Sequence, residues 1–445
     1  MSEHVEVFLE GPVHPSRRSS KTSSISRNSS TEPIPPKRMR PRVEPIPLYT
    51  IDLSLPPSER HNDICQAFDA ELSIFRYLYQ AIINMSGFPI IAGAAARLLL
   101  RRVHSKEETE EIKGIARATG MKLNEVVAYN TFLDLFSGCV SGGVKAKAAV
   151  GGAETVLHFR GLDWEMDLLR DLLVQVQYKR DGKIVARAVT YAGYVGTLTG
   201  VREGLSMSMN YRLRLNSSSN VLSHRKHQLS ILLGLRPSIA SQLRTLLLSP
   251  GPAPSLSEVQ AHFESAPASP CYLTFCSPDE VLIMEKDLKG LASEARISDT
   301  FLAITNHDRA AEDWSKEKWV KVLKKQGIVG EQSGLTDMIM ENSMHRKRCI
   351  TELWEGRTEC AEPDLEESSN GQGMVRGARV GVEEIKEWLR TYPLRNATTH
   401  FSCIMDPARE GGGLLWAEAC EEVPGSDSEL SHDGNSENVE VSPTT

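Results

Sequence analysis

The apolar residues of this 445-residue chain change their spacing abruptly at Cys139, and that switch constrains the fold more than any other feature. Before it, the run from Asn124 to Phe136 has the three- and four-residue spacing of an amphipathic helix that stops at Ser137-Gly138. After it, the run from Val156 to Trp164 reads as a strand carrying Arg160 and Asp163 three residues apart. A buried structural cysteine is the ordinary reading of a lone Cys. A cysteine between a helix end and such a strand is instead placed like a nucleophile with polar support at hand.

Composition bounds the rest. Residues 1–45 are rich in Ser, Arg and Pro and lack periodic apolar residues, so they read as a disordered basic arm. Residues 421–445 are acidic without Lys or Arg and read as a solvated, disordered tail. The material between suffices for one large domain or two intimate subunits. The expected division is a mainly helical region at 46–138 and a catalytic domain at 139–420. A net charge of -7 argues against a nucleic-acid binder. The basic run from Pro36 to Arg42 belongs to the arm, with a nuclear-import or anionic-surface patch as the alternative.

No signal peptide is expected at the N-terminus, whose first residues are acidic with no apolar core after them. The longest apolar stretch, Gly87 to Leu100, is too short to span a bilayer, contains Arg97 and ends at Arg101-Arg102. The eight cysteines lack framework spacing, which suits a reducing compartment. Cys271 and Cys276 have no second pair at zinc-site spacing, so no metal or cofactor is expected. Sequons at Asn28, Asn84, Asn216 and Asn396 then read as chance. The expectation is a cytoplasmic protein.

Along the chain, Pro47 to Leu55 alternates like a half-buried strand, and Ile64, Phe68, Leu72, Phe75 and Leu78 form a helical stripe. Ser105 to Glu108 has a capping-box pattern, Gly120 suits a helix C-terminus, and Asn124 is placed to cap the helix leading to Cys139. Past Cys139, short alternating runs predominate: 140–143, 155–164, 172–178, 183–190, 205–212, 271–275, 281–286, 301–305 and 398–405. Helical patches fall near 239–248, 256–264 and 314–325, and Glu362–Gly377 looks like a polar inserted loop. Sheets with flanking helices give an α+β, layered αββα reading.

Several stretches together resemble the acid ceramidase and N-acylethanolamine acid amidase family of N-terminal-nucleophile (Ntn) hydrolases. Leu48 to Arg60 is similar to the opening strand of that family's short subunit, and Glu111 to Ala116 and Glu125 to Phe136 to the helices before its cleavage point. His158-Phe-Arg-Gly-Leu-Asp-Trp164 stands where the family has Arg-Asn-Met-Asp-Phe, and Tyr191 to Gly200 is the closest match. Thr305 to Asp308 and Ser343 to Arg346 resemble the remaining active-site strand and helix. The chain departs from the family at Asn210-Tyr211-Arg212, where Asn-Glu-Arg is usual, at Val140 in place of a threonine, and at Gly138 in place of a bulkier residue.

The resemblance implies an Ntn αββα sandwich preceded by a helical small-subunit region. It implies self-cleavage of the Gly138–Cys139 bond, after which two associated fragments remain and the Cys139 α-amine serves as general base. Asp163 would hold that amine, Arg160 would hydrogen-bond near the sulfur and favour the thiolate, and Asn306 would donate to the oxyanion. Arg346 would be a supporting or substrate-polar contact. Because Arg160 and Asp163 are three apart, aiming both inward needs a twist or bulge. Glycine at 138 removes bulk and permits strained backbone angles. Tyr211 removes a carboxylate implicated in self-cleavage, which implies slow maturation. A Cys139–His158 dyad is disfavoured, since His158 reads as an exposed strand-start residue with no orienting third group.

The expected activity is an N-acyl lipid amide hydrolase, with ceramide as favoured substrate. An N-acylethanolamine amidase, an acyltransferase of the same fold and an unprocessed lipid- or protein-binding relative are the alternatives. The apolar run from Phe88 to Arg102 reads either as a peripheral membrane contact or as ordinary core.

Overall fold

The first strand of the chain lies in the same sheet as strands from beyond Cys139: β1 (Leu48–Asp52) pairs in parallel with β4 (Leu173–Arg180), Ile51 opposite Tyr178. The computed structural model describes residues 45–85, 88–132, 138–147, 154–164, 166–213, 217–325, 334–360 and 380–420. Nearly all of the expected arm, the acidic tail, the Glu362–Gly377 loop and residues 133–137 lie outside the described residues.

Helices α1 (Asn62–Ala67), α2 (Asp69–Met85), α3 (Pro89–Leu99), α4 (Lys106–Thr119) and α5 (Leu123–Phe132) follow β1. Helix α4 starts where Ser105 accepts from the Glu108 N–H and ends at Gly120 in the left-handed region, φ 63°. Half of the expected capping box forms. The Glu108 carboxylate turns away from it to accept from Ser241 Oγ at 2.9 Å. Asn124 sits inside α5 rather than capping it, and its Nδ2 donates to Tyr79 Oη at 2.8 Å. Gly114 lets α4 lie on the turn before α1: a Cβ there would sit 2.1 Å from the Ser58 carbonyl oxygen.

The remaining elements build two sheets. One has the order β1-β4-β5-β6-β7-β8-β9-β10, adding β5 (Lys183–Tyr191), β6 (Thr199–Arg202), β7 (Leu205–Tyr211), β8 (Cys271–Cys276), β9 (Val281–Lys286) and β10 (Arg296–Ser298). The other runs β11-β2-β3-β12-β13, from β2 (Gly138–Lys147), β3 (Glu154–Asp163), β11 (Phe301–Ile304), β12 (Thr399–Asp406) and β13 (Gly413–Ala419). Strands β2 and β3 face β7 and β8 across the interior. Helices α7 (Ile239–Leu247) and α8 (Leu256–Ser265) cover the first sheet, following α6 (Val221–Leu232). Helices α10 (Gly334–Cys360) and α11 (Val382–Arg390) cover the second, after α9 (Lys316–Lys325). The result is the expected α+β, layered αββα arrangement.

The helical region and the sandwich share one apolar core, in which Ile51, Ile112 and Val126 pack with Val174, Met207 and Leu273. A buried ionic cluster ties them as well. Arg244 of α7 pairs with Glu111 of α4 at 2.8 Å, and Arg60 reaches the same carboxylate at 2.9 Å. Burial alone would raise the Glu111 carboxyl, but Arg244, with His61 and Arg60, outweighs it and holds it down at about 2.

Between the sheets runs a polar seam. His158, expected to be exposed, is fully buried in mid-strand, its Nδ1 3.0 Å from Ser206 Oγ and its Nε2 2.9 Å from Ser208 Oγ. Burial, and then the Arg160 charge, pull the His158 imidazole down from 6.5 to about 3. Between those two values the unfolded chain binds a proton that the folded chain refuses, so stability falls as the pH drops through that window. One such histidine contributes up to about 1.4 kcal/mol per pH unit. Urea midpoints measured at pH 5 and pH 7 should therefore differ more for the wild type than for His158→Gln; equal differences would show that His158 does not carry this acid sensitivity.

Candidate active site

Cys139 is the second residue of β2 rather than a residue between elements, and it is wholly buried. The register places it opposite Leu162, with Ser141 opposite Arg160. Successive side chains alternate faces, so Cys139, Ser141, Leu162 and Arg160 all point between the sheets. Arg160 reaches sideways to the thiol, and its Nη2 donates to Cys139 Sγ at 3.3 Å. Its Nη1 donates to Asn210 Oδ1 at 2.8 Å. Asn210 in turn accepts from Ser141 Oγ at 3.0 Å, and its Nδ2 donates to the Thr305 carbonyl at 3.2 Å. The seam thus fixes the guanidinium from below.

Asp163 lies on the other face. It is opposite Gly138, and the β2–β3 ladder runs from Gly138 to Lys147 without a break, so the bulge expected to turn Asp163 inward is not in β3. The irregularity falls in β12, between Thr399 and Phe401. It brings two donors onto the carboxylate: Thr399 Oγ1 at 2.7 Å from Oδ1 and Asn396 Nδ2 at 3.2 Å from Oδ2. Arg346 of α10 completes the set through an ion pair to Asp163 Oδ2. The second Arg346 nitrogen, Nη2, donates to Asn306 Oδ1 at 3.0 Å.

Asn306 closes the circuit. Its Oδ1 accepts the Cys139 main-chain N–H at 2.7 Å, while its Nδ2 donates to the Tyr211 carbonyl at 2.8 Å. Because Oδ1 collects two donors, the orientation of this amide is fixed by its partners. Asn306 therefore presents its oxygen to Cys139, and the oxyanion-donor role expected from the sequence does not match that orientation. Here it holds the nitrogen that would become the new N-terminus. All five expected site residues are brought together: Cys139 and Arg160 on the inner face, Asp163 and Arg346 on the outer, and Asn306 linking the two.

The three departures from the family pattern have distinct surroundings. Tyr211 gives its carbonyl to Asn306, and its side chain packs against the cluster of Leu213, Trp319 and Met340. Gly138 has no left-handed φ, contrary to the expectation of strain. A Cβ there would lie 3.3 Å from Asp163 Cβ and 3.5 Å from Arg346 Nη2, so the missing side chain leaves room for that ion pair. Val140 points outward into the cluster of Ile350, Ile385 and Trp388.

Asn210, Thr399 and Asn396 were not singled out as site residues by sequence reasoning. Asn210 was noticed only as part of a divergent triplet, and Asn396 only as a sequon. Its Nδ2, the atom a glycan would occupy, is committed to Asp163. No spacing rule announces the β12 irregularity that delivers Asn396 and Thr399.

The helical region supports the site from the side. Tyr129 Oη donates to the Ala192 carbonyl at 2.9 Å, and Asn130 bonds both the Gly193 carbonyl, at 3.1 Å, and the Val195 N–H, at 2.8 Å. These bonds pin the turn at Gly193, whose φ of 74° favours glycine. Helix α3 is not core: none of its residues is buried, and Ile90 is 87% exposed and Leu98 73%. Beside it an apolar cavity of about 190 Å³ opens among Tyr79, Ile83, Leu99, Leu229 and Leu232. No helix among the described residues is long and apolar enough to cross a membrane, and no group of metal-ligating side chains is found among them.

Comparison with known proteins finds similarity over parts of the chain. The family described as the beta subunit of N-acylethanolamine-hydrolyzing acid amidase matches residues 44–104. Rat acid ceramidase is 30% identical over 193 residues, covering 39% of this chain and 47% of the relative. Human acid ceramidase is 30% identical over 193 residues, covering 38% and 47%. The chain spans about half the length of the curated relatives it matches. Among solved structures, a Caenorhabditis elegans N-acylethanolamine-hydrolyzing acid amidase ortholog is 22% identical, with a TM-score of 0.39, covering 62% of this chain and 94% of that one. In sequence the chain is similar to acid ceramidase over part of its length, and its N-terminal region to the beta subunit of N-acylethanolamine-hydrolyzing acid amidase.

Proposed function

We propose that this protein is a self-activating N-acyl lipid amide hydrolase, with ceramide as the favoured substrate and N-acylethanolamines as the alternative. The observation that carries the reading is that Cys139 is held at both of its reactive atoms. Arg160 contacts its sulfur at 3.3 Å, and Asn306 accepts from its nitrogen at 2.7 Å. A cysteine that only fills space needs neither contact.

In the first step the Cys139 sulfur attacks the Gly138 carbonyl carbon, and the peptide bond gives way to a thioester as the nitrogen takes a proton. Water then cleaves the thioester, leaving a carboxylate at Gly138 and a free α-amine and thiol at Cys139. In the second reaction that amine takes the thiol proton, the sulfur attacks the substrate amide carbonyl, and the amine half leaves with the proton. Water hydrolyses the acyl-thioester and releases the fatty acid. Arg160 meets the negative charge on sulfur in both reactions, and Asn306 holds the amine. Asp163 and Arg346 act by fixing Asn306.

The two fragments would remain associated through the shared core, the β1–β4 pairing and the Arg244–Glu111 cluster. The exposed apolar face of α3, ending at the exposed Arg101 and Arg102, supports docking on an anionic membrane surface from which the lipid is drawn. Among the described residues Cys65, Cys139, Cys271, Cys276, Cys349, Cys403 and Cys420 form no disulfide, and Asn396 is engaged at Asp163; that the protein is cytoplasmic and unglycosylated is part of this proposal. A second reading, an unprocessed relative that only binds, draws on Tyr211, whose side chain supplies no carboxylate.

Two experiments separate these. Wild-type protein should run as fragments of about 15 and 34 kDa, by proportion of chain length, and Cys139→Ala should abolish both the fragments and amide hydrolysis. Hydrolysis retained by Cys139→Ala would refute the Ntn reading, and a wild type that stays whole and inactive would favour the binding-only relative. For the membrane face, Ile90→Asp with Ile91→Asp should weaken hydrolysis of amides carried in anionic vesicles by tenfold or so while sparing a short-chain soluble amide. An equal effect on both substrates would remove α3 from membrane docking.

A further inference from the structure

We propose that the Trp164 indole reads the hydroxyl on the amine half of the substrate, an inference that rests on the hydrolase reading above. Trp164 is 3% exposed, and its Nε1–H has no hydrogen-bond acceptor among the described residues. A buried donor left unmatched destabilises the fold, so one kept beside the site has a use when an acceptor arrives. The family pattern has phenylalanine at this position, which packs but cannot donate.

The described neighbours are paired with one another and leave the indole N–H without an acceptor. Trp164 meets Tyr191 edge-on, ring centres 5.9 Å apart, and lies 6.2 Å from the His400 ring. Tyr191 Oη and His400 Nδ1 are paired at 3.0 Å, and His400 Nε2 lies 3.0 Å from the Trp164 carbonyl oxygen. The Trp164 main-chain N–H donates to the Thr398 carbonyl at 2.7 Å. Backbone and flanking rings therefore hold the indole in one pose, and its N–H has no acceptor among the described residues.

Position selects the ligand atom. Trp164 is two residues past Leu162, the residue opposite Cys139, and it packs in the same inner core as both. Two residues along a strand span about 7 Å. That backbone offset sets the indole beside the carbonyl under attack at the sulfur rather than on it, where an oxygen a few bonds away would meet it. The acyl half of an N-acyl lipid has no such oxygen, whereas a hydroxyl two carbons from the amide nitrogen does lie there. Indole is a donor only, so it recognises a hydroxyl or ether oxygen and not an ammonium.

The test uses purified full-length protein labelled with ¹⁵N-tryptophan, the Trp164 indole resonance being identified by its loss in Trp164→Phe. Fresh additions of an N-acylethanolamine should shift that resonance downfield, and the N-propyl amide of the same fatty acid, which lacks the hydroxyl, should not. In kinetics, the preference in kcat/KM for the hydroxyl-bearing amide should fall about three- to tenfold in Trp164→Phe, the worth of one neutral hydrogen bond. Self-cleavage, which needs no lipid, reports that the variant folds. No shift, an equal shift with both amides, or a preference unchanged by the substitution would overturn the assignment. Hydrolysis of both amides without discrimination would remove the donor role and leave the hydrolase reading intact. A discriminating shift without hydrolysis would do the reverse.

Discussion

The site depends on a cation buried where water cannot compensate it. Arg160 is wholly buried between the sheets, and its partners among the described residues are the neutral Asn210 oxygen and the Cys139 sulfur. Removing a guanidinium from water costs several kcal/mol, and neutral partners recover only part of that. Negative charge developing on the sulfur during an attack would offset that cost. The seam of Ser141, Asn210 and Thr274, closed by a 2.9 Å bond between the Ser141 and Thr274 hydroxyls, is what keeps the cation there. The same charge helps to keep His158 neutral, which links the chemistry of the site to the acid stability of the fold.

A second network governs the nitrogen of the same residue. Asp163, Arg346 and Asn306 form a line from the outer face of the sheet to the Cys139 N–H, and each member comes from a different element. The two networks meet at Cys139 and touch again where Asn210 and Asn306 bond the backbone beside each other, at Thr305 and Tyr211. Breaking the bond before it changes the nitrogen from amide to amine while Arg160 and its supports stay in place. On the proposed reading, maturation would need little rearrangement of the described residues beyond freeing the chain end at Gly138.

Much of this was legible in the sequence because periodicity survives in a chain whose layers are well packed. The strand bearing Arg160 and Asp163 and the αββα order appear as expected, and the change from helix to strand falls before Cys139, between Phe132 and Gly138. What failed to show is what depends on register. Alternation puts Arg160 and Asp163 on opposite faces, and the structure keeps them there. Contact with the Cys139 nitrogen is recovered through Arg346 and Asn306. The β12 irregularity that brings Asn396 and Thr399 to Asp163 arises from strand pairing more than 230 residues apart in sequence, and no local pattern encodes it. The orientation of the Asn306 amide is likewise set by its neighbours. Helix α3 was ambiguous because an apolar run looks the same whether or not it faces core, and only its exposure in the structure removes it from the core.

The central claim is that Cys139 becomes an N-terminal residue. Intact-mass analysis of the purified protein, followed by N-terminal sequencing of the larger fragment, tests it most directly. The account predicts a fragment that begins at Cys139 with a free α-amine, accompanied by a partner ending at Gly138. An undivided chain that hydrolyses N-acyl lipids, or an active fragment beginning at any other residue, would contradict it.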